Sequence, residues 1–418
     1  MSKFVIEGGR PLTGEIEVYG SKNAVLPLIA ASLLTSAPVK ISNVPDIADV
    51  ATMLDILTAW GGKIEKVNGS RGTITLDMSN LEPDRDVDDL IGKLRGSILL
   101  MGALLGRDRK VSLPRPGGDI IGARPIEAHL DGFRHLGAEV REEGERVVID
   151  GSNMKAGEVV LSEFSVTATE NILLAAATLP GTTTIYIAAA EPHVAALCEL
   201  LARMGAKISG AGTHEIMITG KENLAGAEVE NIPDMLEAGF FILLGAATKS
   251  ELTVREVPVH DLRLFFKKLD EIGVKYTMDG TSVTVQPSQM NSFRVQVLPH
   301  PGIATDLQAP FAVLATQVQG SSLIHDPLYE GRFKHIYELQ KMGANAVVCD
   351  PHRVIISGPT GLRGREIPSL DIRSGATLVM AGLTAEGKTV IRDAEIIDRG
   401  YARLMDRLRA IGAEITRN

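Results

Sequence analysis

The sequence predicts an α/β protein assembled from six copies of one structural unit, and two observations carry that reading. A helix end followed by a strand recurs as WGGKI from Trp60, LGAEV from Leu136, MGAKI from Met204, IGVKY from Ile272, MGANA from Met342 and IGAEI from Ile411. The spacing is roughly 70 residues each time, the mark of a repeat architecture. In step with it, short β-rich segments follow apolar runs at 39–41, 111–113, 183–185, 252–254, 322–324 and 389–391. Two helices alternating with strands in every unit define the α/β class.

Each element of the unit has its own signal. The first helices read SKNAVLPLIAASLL, IGKLRGSILLMGALL, SVTATENILLAAATL, PDMLEAGFFILLGAA, ATDLQAPFAVLATQV and DIRSGATLVMAGLTA. Their bodies are almost wholly apolar, which predicts buried helices. The second helices are amphipathic, as in PHVAALCELLARMG, and end on the repeated glycine, where a C′ residue adopts φ > 0. Four strand segments share a template: VVIDGSNMKAGEVV, IMITGKENLAGAEV, VIISGPTGLRGREI and, at the start of the chain, FVIEGGRPLTGEIEV. The sixth copy stops at GAEITRN without that segment, so the strand from Phe4 is expected to complete it. The predicted domains are therefore 22–232, with three units, and 1–21 plus 233–418, with the other three. Between two such domains a ligand cleft is expected; a repeat scaffold without chemistry is the competing reading.

Composition narrows the function classes. A chain of 418 residues with 44% hydrophobic and 23% charged residues is an ordinary globular protein. A net charge of −9 argues against a nucleic-acid binder, which needs a basic footprint. The start of the chain shows no signal peptide, and the apolar run from Ala24 to Leu34 is too short to span a bilayer, so a cytoplasmic protein without membrane insertion is expected. Cys198 and Cys349 cannot form a disulfide framework; both lie in apolar runs and are expected as inert core residues.

Polar residues gather at equivalent helix starts. The first turns of the apolar helices carry Lys22, Arg95, Ser165, Asp234 with Glu237, Asp306 and Arg373. Asp234 reads equally well as an ordinary cap. A cation at the positive end of a helix runs against the macrodipole, so Lys22, Arg95 and Arg373 point to an anion between them. The second helix starts carry Asp49, Asp119, Arg124, Glu191, Arg332 and Arg399. Any one such arginine is more often a surface ion pair; several at repeat-equivalent places suit phosphate and carboxylate. The sequence has no GxxxxGK[ST] loop, no GxGxxG after a strand and no HExxH or CxxC pair, so neither metal nor cofactor is expected. Gly210–Gly212 read as a hairpin turn, and Asn68-Gly69-Ser70 as a turn rather than a glycosylation site.

The strings GSKNAVLP, LPRPGGDIIGARPIEAHL, LPHPGIATDLQAPF, YEGRFKH, LDIRSGATLV and IIDRGYARL carry a resemblance over the whole length. The chain resembles the UDP-N-acetylglucosamine 1-carboxyvinyltransferase family of enolpyruvyl transferases. The resemblance implies a two-domain inside-out α/β barrel of six βαβαββ-like repeats. It implies the first committed step of peptidoglycan synthesis: transfer of the enolpyruvyl group of phosphoenolpyruvate to the sugar 3-hydroxyl, with release of phosphate. It places Lys22 and Asn23 at the phosphate and the reacting centre, and Arg124 and Arg399 on the phosphate and carboxylate of phosphoenolpyruvate. Arg95, Arg332 and Arg373 add positive charge, and Asp306 is the general base. Ser165, Val166 and Thr167 cradle the nucleotide, with His129 and Leu328 as further nucleotide-sugar contacts.

This chain departs from the family at several points. Asp119 stands where the family usually has the loop cysteine that fosfomycin alkylates, which implies fosfomycin resistance and an aspartic proton donor. Ala48, Glu163 and Met235 stand where basic residues are usual, and Thr167 replaces a common glycine. The competing activities are 3-phosphoshikimate 1-carboxyvinyl transfer and a catalytically silent binding homologue.

Overall fold

The computed structural model describes residues 2–67, 71–118 and 125–418. These fall into two compact units: 2–19 with Pro233–Asn418, and Gly20–Gly118 with Pro125–Ile232. Each unit is built around three apolar helices. In the Gly20–Ile232 unit they are Lys22–Ala31, Leu99–Asp108 and Val166–Ala176. In the other unit they are Met235–Ala247, Gln308–Ala315 and Ile372–Thr384. Nearly every residue of these helices is buried, so none shows the polar stripe of a surface helix. Helix contacts are close where glycine allows it. A Cβ on Gly102 would stand 2.3 Å from the Asn171 carbonyl oxygen, and the Gly102 N–H donates to Asn171 Oδ1 at 2.6 Å.

Sheets lie outside the helices, with one face exposed. Among the described residues there are six, and five share one order of four strands. In the first, Val39–Val44 pairs antiparallel with Gly72–Asp77, which carries Lys63–Val67 beyond it. Glu228–Glu230 joins the other side of Val39–Val44 in parallel, so the end of this unit closes back on its beginning. The sheet of the second repeat has only antiparallel members among the described residues: Arg146–Asp150 lies between Lys110–Pro114 and Glu139–Glu143. In the other unit Lys3–Gly8 lies between Gly387–Arg392 and Glu414–Arg417, antiparallel to both. The chain then enters Thr13–Glu17, parallel to Glu251–Arg255.

The repeated glycines terminate the second helices as the periodicity requires. Gly61, Gly137, Gly205, Gly273, Gly343 and Gly412 all have φ between 88° and 115°. A side chain there would meet the left-handed penalty that glycine escapes. The turn at Gly210–Gly212 joins the antiparallel strands Lys207–Ser209 and Glu215–Thr219.

Two expectations are corrected. Cys349 is exposed, not core. It lies on Asn345–Asp350, where alternation turns Ala346 inward and Val347 and Cys349 outward. Arg399 ends the 3₁₀ turn Ala394–Arg399, and the second helix of its repeat starts only at Leu404. Cys198 is buried, and its thiol is pushed up to about 12 by burial and then by Glu170. The turn expected at Asn68-Gly69-Ser70 lies outside the described residues.

Candidate active site

The unit that holds Pro233–Asn418 brings the starts of its three buried helices together. Asp234 caps Met235–Ala247, accepting from the N–H groups of Leu236 at 2.8 Å and Glu237 at 3.2 Å. Asp306 sits in the 3₁₀ turn Thr305–Leu307 that leads into Gln308–Ala315. Arg373 lies in the first turn of Ile372–Thr384, whose cap Asp371 accepts from the Arg373 and Ser374 N–H groups. Arg373 Nε reaches Asp306 Oδ2 at 3.3 Å, and its Nη2 lies 3.9 Å from Asp234 Oδ2. Arg332 Nη2 holds the other Asp306 oxygen, Oδ1, at 2.5 Å.

Asp306 is thus gripped by two guanidinium groups that are themselves buried, Arg332 and Arg373 at 8% and 6% exposure. Burial alone lowers the pKa of each arginine, but the neighbours reverse the sign. For Arg373 these are Tyr401, Asp234 and Asp306; for Arg332 they are Asp306, Asp371 and Tyr329. Both guanidiniums also face aromatic rings, Arg373 over Tyr401 at 5.1 Å and Arg332 over Tyr329 at 5.3 Å. Arg332 Nε and Arg373 Nη1 are buried and meet no acceptor among the described residues. Buried donors of this kind suit an anionic ligand. Arg399 is half-buried in the same unit, and Leu328 is exposed on the loop before Arg332.

The Gly20–Ile232 unit holds a second set. Lys22 opens its helix behind the cap Ser21, and its Nζ pairs with Asp49 Oδ2 at 2.6 Å with both side chains largely buried. Asn23 follows, half-buried. Arg95 Nη2 lies 3.5 Å from the Pro125 carbonyl oxygen. Ser165 caps Val166–Ala176, accepting from the Ala168 N–H at 3.4 Å. Thr167 then meets His129: its hydroxyl is 2.8 Å from Nε2, while Nδ1 is 3.2 Å from the Ile126 carbonyl oxygen. Nδ1 must donate there, so in the neutral ring Nε2 accepts from Thr167. Burial, then Arg95, holds the ring's pKa down at about 3. Asp119 and Arg124 lie outside the described residues.

The sequence reading missed Tyr401 and Tyr329, although both stand inside quoted strings, IIDRGYARL and YEGRFKH. It also missed Asp326, whose only signal is a position six residues before Arg332.

The chain as a whole is similar to known proteins along nearly all of its length. Residues 6–408 match the family profile of EPSP synthase (3-phosphoshikimate 1-carboxyvinyltransferase). A UDP-N-acetylglucosamine 1-carboxyvinyltransferase of Treponema denticola is 40% identical over 99% of both chains. That of Treponema pallidum is 41% identical, again over 99% of both. The chain belongs to the UDP-N-acetylglucosamine 1-carboxyvinyltransferase family. Among solved structures, the enolpyruvyl transferase NikO from Streptomyces tendae superposes with a TM-score of 0.90 at 27% identity, covering 100% of this chain and 99% of that one. EPSP synthase from Acinetobacter baumannii shares the fold with a TM-score of 0.75 at 19% identity, over 100% of both chains. Membership in this family makes the chain an enolpyruvyl transferase, an enzyme rather than a bare repeat scaffold.

Proposed function

We propose that this enzyme transfers the enolpyruvyl group of phosphoenolpyruvate to the 3-hydroxyl of UDP-N-acetylglucosamine and releases phosphate. The observation that carries the reading is Asp306 held between two buried arginines, one of which also faces Asp234. A carboxylate so held is a fixed base for a hydroxyl proton. In the addition step the 3-hydroxyl oxygen bonds to C2 of phosphoenolpyruvate as Asp306 takes its proton and C3 gains one. In the elimination step C3 returns its proton to Asp119, the bond from C2 to the oxygen that bridges to phosphorus breaks, and phosphate departs with that oxygen. Negative charge gathers on the leaving phosphate, and guanidinium groups in a water-poor site stabilise it.

The remaining roles follow the family resemblance. Lys22 and Asn23 meet the phosphate and reacting centre, Arg124 and Arg399 hold phosphoenolpyruvate, and Arg95, Arg332 and Arg373 supply further charge. Ser165, Val166, Thr167, His129 and Leu328 contact the nucleotide sugar. Asp119 supplies the proton in place of the family's cysteine. Among the described residues no helix is long and apolar enough to cross a membrane; action in the cytoplasm belongs to the reading that the family supports. The product feeds peptidoglycan synthesis, and through it cell shape and division.

Phosphate release from phosphoenolpyruvate, measured with UDP-N-acetylglucosamine and separately with shikimate 3-phosphate, tests the reading. Turnover only with shikimate 3-phosphate reassigns the acceptor, and turnover with neither removes the activity. A carboxylate is a far poorer nucleophile toward an epoxide than a thiolate. The wild-type enzyme should therefore gain no fosfomycin mass and Asp119→Cys should gain one. A labelled wild-type protein refutes the role given to Asp119.

A further inference from the structure

The loop that leads to Arg332 and the turn that carries Asp306 share one buried carboxylate. Asp326 is fully buried, at 0% exposure. Its Oδ2 accepts from the Thr305 hydroxyl at 2.5 Å, and its Oδ1 accepts from the Leu328 N–H at 3.0 Å. Its own backbone is pinned on both sides: the N–H donates to the His352 carbonyl at 2.8 Å, and the C=O accepts from His352 Nδ1 at 2.8 Å. Thr305 is the residue before Asp306. Leu328 opens the segment that ends at Arg332, whose carbonyl accepts from Gln308 Nε2 at 3.2 Å and His335 Nδ1 at 3.0 Å. The circuit closes where Arg332 grips Asp306.

We propose that Asp326 is a positioning residue that sets the Asp306–Arg332 pair, acting through the Thr305 hydroxyl on one side and the Leu328 N–H on the other. A fully buried acid is otherwise a poor choice for this place. Burial raises its carboxyl pKa above the ordinary value, and the Thr305 hydroxyl, the Leu328 N–H and Arg332 offset that rise only in part. An apolar residue would remove that desolvation cost, but it would leave the hydroxyl and the N–H without an acceptor. Asp326 itself touches no group of the Asp306 side chain in this circuit; it fixes the backbone from which Asp306 and Arg332 project. The inference rests on Asp306 acting as the base of the proposed reaction. Misplacing a reacting group by about 1 Å costs on the order of a hundredfold in rate.

The test compares Thr305→Val, which keeps the shape but removes the hydroxyl, with Thr305→Ser, which keeps the hydroxyl. Both are measured with phosphoenolpyruvate and UDP-N-acetylglucosamine, alongside Asp326→Asn and the double variant. Thr305→Val should lose about ten- to a hundredfold in kcat, with KM for the nucleotide sugar little changed and the melting temperature lowered, because buried Asp326 Oδ2 loses its donor. Thr305→Ser should restore the rate. Asp326→Asn combined with Thr305→Val should lose no more than the worse single variant, because both act on the one contact between the Thr305 hydroxyl and residue 326. Should Asp326→Asn not fold, the valine–serine pair decides alone. A wild-type kcat in Thr305→Val, or losses that multiply in the double variant, overturns the assignment while leaving the proposed reaction intact. No turnover by the wild-type enzyme removes both.

Discussion

Acid should weaken the Gly20–Ile232 unit through His129, and the size of the effect follows from its surroundings. The ring is 2% exposed, and burial, then Arg95, holds its pKa near about 3, against an ordinary 6.5. The folded state therefore keeps the ring neutral, whereas the unfolded chain takes up a proton below about pH 6.5. The folded pKa is depressed, so the unfolded state binds more protons between about pH 6.5 and 3, and stability is lost as pH falls through that window. Each pH unit is worth about 1.4 kcal/mol; at about pH 5 the loss is roughly 2 kcal/mol relative to neutral pH. The chain has one tryptophan, Trp60, fully buried in the same unit. Its fluorescence during urea unfolding thus reports the unit that contains His129. His129→Gln, which has no titrating group, should be less stable at neutral pH but lose roughly 2 kcal/mol less than wild type on going to about pH 5. Identical pH dependence in the two proteins would refute a neutral, buried His129.

Three further outcomes are expected. Asp306→Asn should lower kcat by at least about a hundredfold, the usual scale of acid–base catalysis, with UDP-N-acetylglucosamine still binding by calorimetry; near-normal kcat would move the base elsewhere. Glu170 is buried at 1% exposure, and burial, then Glu191, raises its carboxyl well above the ordinary value. The folded state then holds a proton that the unfolded chain releases, so stability falls as pH rises above about 4.3; Glu170→Gln should flatten that fall in urea titrations, and an unchanged slope would show Glu170 ionised. Gly102→Ala places a methyl 2.3 Å from the Asn171 carbonyl oxygen, and should cost about 3 kcal/mol as overpacking between two helices, visible as a lowered melting temperature.

The repeat was legible because its signals are local. A helix that ends in the left-handed region asks for glycine, so six glycines in register reveal six helix ends. Apolar helices without a polar stripe reveal an interior made of helices, and short β-branched runs between turns reveal the sheets around it. Cys349 was misread for an equally physical reason. The run ANAVVCDP is apolar at both parities, and only pairing with Arg353–Gly358 decides which side faces the core. Contacts between distant elements left no trace in either segment alone. Nothing in SVTATEN announces that the Thr167 hydroxyl serves His129, and nothing in IHDPLYEG announces that Asp326 holds Thr305.

Charged helix starts were legible as a group, and the structure gives the reason they occur together. Asp234, Asp306 and Arg373 belong to the starts of three different buried helices, and ion pairs of 3.9 and 3.3 Å connect them. Three helix N-termini therefore converge, each carrying the partial positive charge of unpaired N–H groups. The two carboxylates Asp234 and Asp306 offset that charge, and the two guanidiniums of Arg332 and Arg373 offset the carboxylates in turn. Formal charges in this cluster cancel, which lets four ionised groups share a largely buried site. What does not cancel is the field of the helix ends, aided by guanidinium donors at Arg332 Nε and Arg373 Nη1 that meet no acceptor among the described residues. A site so arranged favours an arriving anion without a large excess of fixed positive charge. That reconciles a chain of net charge −9 with the donor proposed for it, which carries both a phosphate and a carboxylate.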